Sequence, residues 1–505
     1  MSQVRSTFLL FATQIVLKGS GFIKQLLLAY FLGVSRDLDL LIVAQIIPSI
    51  IGSIFSGGGG EIMAIHLRGD SRKNEHILSL LTFILLAITL FFNGIYMAMI
   101  PFFTDILDVE DEKANLFFIL SLLISFSKLP LSIVSSLQQF IYVRRKYKGA
   151  MYVSIISEII GVLFIVLTAS KFGIISFAIA LLLSASYNAL GYLFLIKVNL
   201  FLSFNKRLWR AYKVAVANTL GKIINLGTQT LINHLSTFAE RSLGFKYLSD
   251  GYVGAMNYAK SVTELPRVVM LSSILTTTYA EQIRLKNCDL IQYKSYSNRM
   301  NDIIFSFSII AQIFSLIFAP YIILIFFQRG ALNSQDLQLI QVIFQILSLS
   351  FIPGLMFGFL SKVMFIEGEN SWMLKMTIVK TSIELILMYT LIFQIQQGIP
   401  IALSLSKIFF TIAILVYLNL KHPGLVNHKR FFWMYGVILL VSIFIFIINE
   451  KILNDFVITK SPVVHLFYLF SMLIFVFCAM LFLIRIHPEI RFFIANRKFM
   501  KIGKN

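Results

Sequence analysis

Apolar runs of about twenty residues recur along this chain up to residue 485, parted by short breaks that carry most of its charge. About twenty helical residues cross the roughly 30 Å hydrocarbon core of a bilayer. A backbone in lipid must satisfy its own hydrogen bonds, which a helix does within a single run and a barrel only by closure. Of 505 residues 58% are hydrophobic and only 13% charged, with a mean hydropathy of +0.83, against about 25% charged in soluble domains. An all-α polytopic membrane protein is predicted, with no room for a soluble domain between its spans.

Reading apolar runs against charged breaks places spans near 7 to 33, 39 to 65, 77 to 103, 114 to 142, 150 to 170, 173 to 197 and 212 to 239. Seven more are expected near 250 to 282, 302 to 328, 336 to 366, 372 to 396, 399 to 420, 431 to 449 and 463 to 485. Alternate loops then separate by charge. One side holds Arg68, Arg72 and Lys73; Arg144, Arg145, Lys146 and Lys148; Lys206, Arg207 and Arg210; Arg284, Lys286, Lys294 and Arg299; Lys421, Lys429 and Arg430; and a basic C-terminal tail. The other holds the acidic run Asp105 to Glu112. By the positive-inside rule both termini are cytoplasmic, which requires an even count and supports about 14 transmembrane helices.

The net charge of +20 is thus spent on cytoplasmic loops, and no basic segment forms a nucleic-acid-binding module. Cys288 and Cys478 lie in no metal-binding or disulfide spacing, so no metal site is expected. The N-terminal run lacks a cleavage signal and reads as an uncleaved first helix. A faint repeat at an offset of a little over 200 residues pairs Pro48 with Pro266 and Ser157-Glu158-Ile159-Ile160 with Ile383-Glu384-Leu385-Ile386. It suggests two six-helix lobes, 1–200 and 201–424, plus an extra C-terminal pair and basic tail in 425–505.

Ionisable residues inside spans each cost at least about 2.5 to 3.5 kcal/mol at the bilayer centre unless a cavity or partner receives them. They concentrate in the first, second, seventh and eighth spans: Lys18 and Lys24, Asp39, Lys222, His234, Glu240 and Arg241, then Lys260, Glu264 and Arg267. Lys18 and Lys24 stand roughly 9 Å apart along a helix axis. They are the leading candidates to hold a diphosphate through charge-assisted hydrogen bonds. Lys128, Lys362, Lys380 and Lys407 read as snorkelling residues, and Lys260 with Glu264 also reads as an i,i+4 ion pair. Pro48, Gly52, Gly57, Gly58 and Pro266 weaken the same helices and are candidate hinges, or else sites of close helix packing. Nucleotide-binding, zinc-protease and serine-hydrolase motifs are missing. No cofactor is expected, and transport would draw on an ion gradient, the membrane potential or consumption of substrate elsewhere.

Gly21-Phe22-Ile23-Lys24, Ala29 to Gly33, Asp39 to Ala44 with Pro48 and Phe55, Asn257 to Pro266, Phe327 to Ala331 and Phe359 to Glu367 stand in the order seen in one known family. The chain resembles the MviN/MurJ-type lipid flippases of the multidrug/oligosaccharidyl-lipid/polysaccharide exporter superfamily. That resemblance implies fourteen helices in two lobes around a cationic cavity, alternating access, and transfer of an undecaprenyl-diphosphate-linked glycan across a bacterial inner membrane, by a transporter rather than an enzyme. It implies a diphosphate site at Lys18, Lys24 and Lys260 with Arg267, and Asp39 and Glu264 balancing charge or gating. Membrane lipids would be its other partners, and a monomer is expected. In the resembling lipid II flippases arginines stand at Lys18 and Lys24, an arginine at Gly52, an acidic residue at Gly57 and an arginine at Ser261. These departures suit a surface-polysaccharide repeat unit at least as well as lipid II. The rival readings are an ion-coupled drug exporter of the same superfamily, which would want an acidic cavity, and a membrane glycan polymerase or ligase, which would want a large outer loop.

Overall fold

The computed structural model describes residues 3–56, 72–143, 147–196, 206–426 and 428–448, with Ser471 and Ile474. Among these residues the regular structure is entirely helical. In chain order the helices are α1 (Gln3–Leu32), α2 (Arg36–Ala44), α3 (Ile46–Ser56), α4 (Arg72–Ala98), α5 (Ile100–Ile106), α6 (Asp111–Val143), α7 (Tyr147–Phe172), α8 (Ile175–Ile196) and α9 (Lys206–Tyr247). Then follow α10 (Tyr252–Cys288), α11 (Leu290–Ile317), α12 (Ala319–Phe327), α13 (Ser334–Ser348), α14 (Phe351–Glu367), α15 (Asn370–Ile392), α16 (Gly398–Lys421) and α17 (His428–Ile448).

Each expected span up to residue 448 coincides, over its described residues, with a helix or a broken helix pair; residues 57–65 of the second and the span near 463 to 485 lie outside the described residues. Among the described residues six helices are long and apolar enough to cross a membrane alone, and α13 with α14, bent by 47°, makes a seventh. The breaks follow from proline, which cannot donate to the carbonyl four residues back and clashes with it. Pro48 stands four residues after Ala44, where α2 gives way to α3, and Pro353 stands four after Leu349, between α13 and α14. Pro101 and Pro320 occupy the first turns of α5 and α12, where a missing donor costs nothing. By contrast α6 runs through Pro130 and α10 through Pro266 without interruption.

Two compact units divide the chain between Gly254 and Ala255, with Met1–Val4 joining the second. In the first, α6 packs on α3, α4 and α8, α7 packs on α8, and α9 lies along α3. Leu78, Leu81, Leu85, Leu137 and Tyr192 fill its core. In the second, α11, α14 and α16 enclose Phe359, Leu360, Val363, Ile414 and Leu418. Lipid is as apolar as leucine, so burial of these side chains drives little helix association; tight packing and interhelical hydrogen bonds carry it. Accordingly Tyr96 bonds Ser121 at 3.1 Å, Ser154 and Tyr192 meet at 2.8 Å, and Gln312 bonds Ser442 at 2.9 Å. Phe194, Leu167 and Leu440 stay exposed on the outside of their helices, where acyl chains would cover them.

Polar networks tie the helix ends. In the first unit Lys246 pairs with Asp108 at 2.7 Å and Lys113 with Asp37 at 3.2 Å. The Arg36 guanidinium lies over the Phe245 ring and donates to its carbonyl at 2.6 Å. In the second unit Glu367 takes Lys286 at 3.0 Å and the Tyr293 hydroxyl at 2.8 Å. Glu369 takes Lys421 and the Tyr417 hydroxyl, both at 2.7 Å, and the His422 ring reaches both carboxylates. Bonds from Lys421 and then Tyr417 and His422 outweigh burial and hold Glu369 at about 2, below its ordinary 4.5.

Candidate functional site

The first unit carries an ion pair inside its helices. Lys24 on α1 meets Glu158 on α7 at 2.7 Å, and the Ser20 hydroxyl, one turn before Lys24, donates to the same carboxylate oxygen at 3.1 Å. Lysine and serine share a face because four residues make about one helical turn. The close approach depends on Gly161, one turn beyond Glu158: a Cβ there would collide with the Ser184 hydroxyl of α8 and come within 3.2 Å of the Lys24 ammonium. The side chains are 14% and 27% exposed, so solvent or a ligand can still reach the pair. Lys24 is therefore in place as a cation but already neutralised. The Lys18 side chain lies outside the described residues; Gly19 and Gly21 beside it border open space.

Asp39, expected to balance charge or gate, is bonded to the backbone at the start of α10. Its fully buried carboxylate accepts the Gly251 N–H at 2.8 Å and the Gly254 N–H at 2.6 Å. Those amides open α10, so Asp39 caps that helix from across the chain, where the unpaired donors and the positive end of the dipole favour a carboxylate. Gly251 is required twice over: its φ is +81°, and a Cβ would stand 2.7 Å from the Val34 carbonyl carbon. Of the expected hinges, Pro48 is buried beside the α2–α3 break, while Gly52 lies within α3 and faces the Lys128 side chain of α6. Gly57 and Gly58 lie outside the described residues.

In the second unit Lys260 is half-buried and Glu264 exposed on α10. The side chains of Pro266 and Arg267 lie outside the described residues. A buried ion pair of this unit lies on α15: Lys380 meets Glu384 at 3.0 Å, and the Ser406 hydroxyl of α16 donates to the other Glu384 oxygen at 3.1 Å. Glu158 and Glu384 thus each receive one lysine and one serine hydroxyl within their own unit. The weak repeat at these two glutamates and the i,i+4 spacing of Lys380 and Glu384 are the sequence signals for them, and reading the lysines alone passes over their partners. No group of three or more metal-binding side chains occurs among the described residues.

Long apolar helices in two units, each with a paired charge held inside it, make up a multi-pass membrane transporter. A family described as Lipid II flippase MurJ matches residues 194–472, more than half of the chain, and the chain belongs to that family. It is a flippase of lipid-linked glycans and not an enzyme. A structure of lipid II flippase MurJ in an inward closed conformation superposes with a TM-score of 0.77 at 16% identity, covering 97% of this chain and 100% of that one. An inward-facing multidrug resistance MATE family transporter of the MOP superfamily gives 0.59 at 16% identity, covering 84% and 96%. A MOP superfamily transporter from Pyrococcus furiosus gives 0.55 at 14%, covering 84% and 97%. At such identities the likeness is one of fold. Comparison with curated proteins gives no match.

Proposed function

We propose that this flippase moves an undecaprenyl-diphosphate-linked saccharide, a surface-polysaccharide repeat unit or lipid II, from the cytoplasmic to the outer leaflet by alternating access. The observation that carries the reading is the Lys24–Glu158–Ser20 cluster: a cation placed inside a transmembrane unit and held ready by one exchangeable carboxylate. An incoming diphosphate would take over the Lys24 ammonium from Glu158, leaving the carboxylate with the Ser20 hydroxyl. Lys18, Lys260 and Arg267 would add charge to the same task, while Asp39 and Glu264 balance charge or gate. Both termini would be cytoplasmic, with the Asp105 to Glu112 end outward. Pro48, Gly52, Gly57, Gly58 and Pro266 remain proposed points of bending. Drive would come from an ion gradient or the membrane potential.

The test is flipping of a lipid-linked saccharide in cells carrying Lys18→Gln with Lys24→Gln. Transport should be lost while the amount of protein in the membrane is unchanged. Normal flipping by that variant would sink the assignment of the site.

A further inference from the structure

The first unit holds a second concentration of positive charge, with the Glu240 carboxylate beside one of its members, Arg241. We infer that Lys128, His234 and Arg241 form a binding station for a diphosphate group, apart in its residues from the Lys24–Glu158 pair. Three elements bring them together. Lys128 comes from α6 and reaches α3, its Cδ 3.6 Å from where a Gly52 Cβ would be, an ordinary packing distance. His234 and Arg241 are seven residues apart on α9, two turns along one face and about 10.5 Å along the axis. That helix lies against α2 and α3. The Arg241 guanidinium donates to the Ile42 carbonyl of α2 at 3.2 Å, which fixes its end of the face toward the same elements.

Arg241 acts on the Lys128 charge, and both act on the His234 ring. The counter-charge beside Arg241 is the buried carboxylate of Glu240. Among the described residues neither the Lys128 ammonium nor the His234 ring has a hydrogen-bond partner, and both side chains are only half-buried. Like charges crowded into a transmembrane unit are costly unless a ligand answers them. Two cations on neighbouring helices, with an imidazole N–H two turns along the same face from one of them, suit two linked phosphates better than a single carboxylate. A diphosphate accepts several charge-assisted hydrogen bonds at once, which a lysine, a histidine and the free edge of a guanidinium can supply.

This station deepens the flippase reading and rests on it, but its test is separate. Full-length protein in zwitterionic nanodiscs is titrated with farnesyl diphosphate, with farnesyl monophosphate and phosphatidylglycerol as competitors, and binding is read by native mass spectrometry. The diphosphate should bind to wild type and at least tenfold more weakly to Lys128→Gln/His234→Gln, while Lys128→Arg stays within threefold of wild type and exposed Lys171→Gln is unaffected. An unchanged melting midpoint in the double variant separates loss of ligand from loss of fold. Wild-type affinity in the double variant overturns the station, and so does absence of diphosphate binding to wild type. Equal displacement by phosphatidylglycerol makes it a phospholipid headgroup contact and overturns the diphosphate assignment. Failure of the flippase reading would show elsewhere, as no leaflet accumulation of lipid-linked saccharide in depleted cells.

Discussion

Removing the Asp39 carboxylate should open the start of α10. It accepts two backbone N–H groups, from Gly251 and Gly254, where both donors and the acceptor are buried. Asp39→Ala leaves those donors without a partner, at about 1–3 kcal/mol each, so about 2–6 kcal/mol in all. Asp39→Asn keeps one acceptor oxygen and should cost about half as much. In hydrogen–deuterium exchange of the protein in nanodiscs, a loss of 2 kcal/mol corresponds to roughly 30-fold faster exchange, since about 1.4 kcal/mol is tenfold. Peptides covering 250–256 should show at least that acceleration in the alanine variant and at least about fivefold in the asparagine variant, with α16 unchanged. Exchange within threefold of wild type in Asp39→Ala would refute the capping role and return Asp39 to the candidates for direct substrate contact.

The other buried charges make further expectations. Glu384→Ala strands the Lys380 ammonium in the interior of the second unit; the variant should unfold earlier by several kcal/mol in denaturant titration, and Lys380→Met/Glu384→Met should regain most of that loss, because a buried pair is worth little against a good apolar replacement. Gly161→Val should push Ser184 and Lys24 aside, so that transport falls while the melting midpoint moves only modestly; full activity would argue against a role for the Lys24–Glu158 approach. Because Glu369 is held at about 2 against an ordinary 4.5, its bonds to Lys421 and Tyr417 contribute stability above about pH 4.5 that is lost as pH falls toward 2. Local exchange at 417–424 should rise across that window in wild type and lose this pH dependence in Glu369→Gln.

Much of the fold was legible because bilayer length and proline chemistry act locally. Each apolar run up to residue 448 is helical over its described residues, and the weakened second span breaks four residues before Pro48, where the missing donor would have bonded. Pro266 shows the limit of that rule, since α10 continues through it. The site was less legible because its partners are distant in sequence. Ser20 and Glu158 are 138 residues apart, and Asp39 is satisfied by backbone amides 212 and 215 residues away, which no side-chain pattern announces. Lys128 read as a snorkelling residue from its position alone; only the packing of α6 on α3 shows that its stem runs past Gly52. Lys380 was read the same way, and its i,i+4 partner Glu384 was visible but credited only to the repeat.

The most direct test of the flippase reading is the amount and leaflet of undecaprenyl-diphosphate-linked saccharides in cells depleted of this protein, measured by mass spectrometry together with accessibility from the outer face. The expected result is a build-up of one such intermediate confined to the cytoplasmic leaflet, lipid II if the protein serves the cell wall and another repeat unit if it serves a surface polysaccharide. Depleted cells in which no lipid-linked saccharide accumulates, or in which it still reaches the outer leaflet at the normal rate, would contradict it.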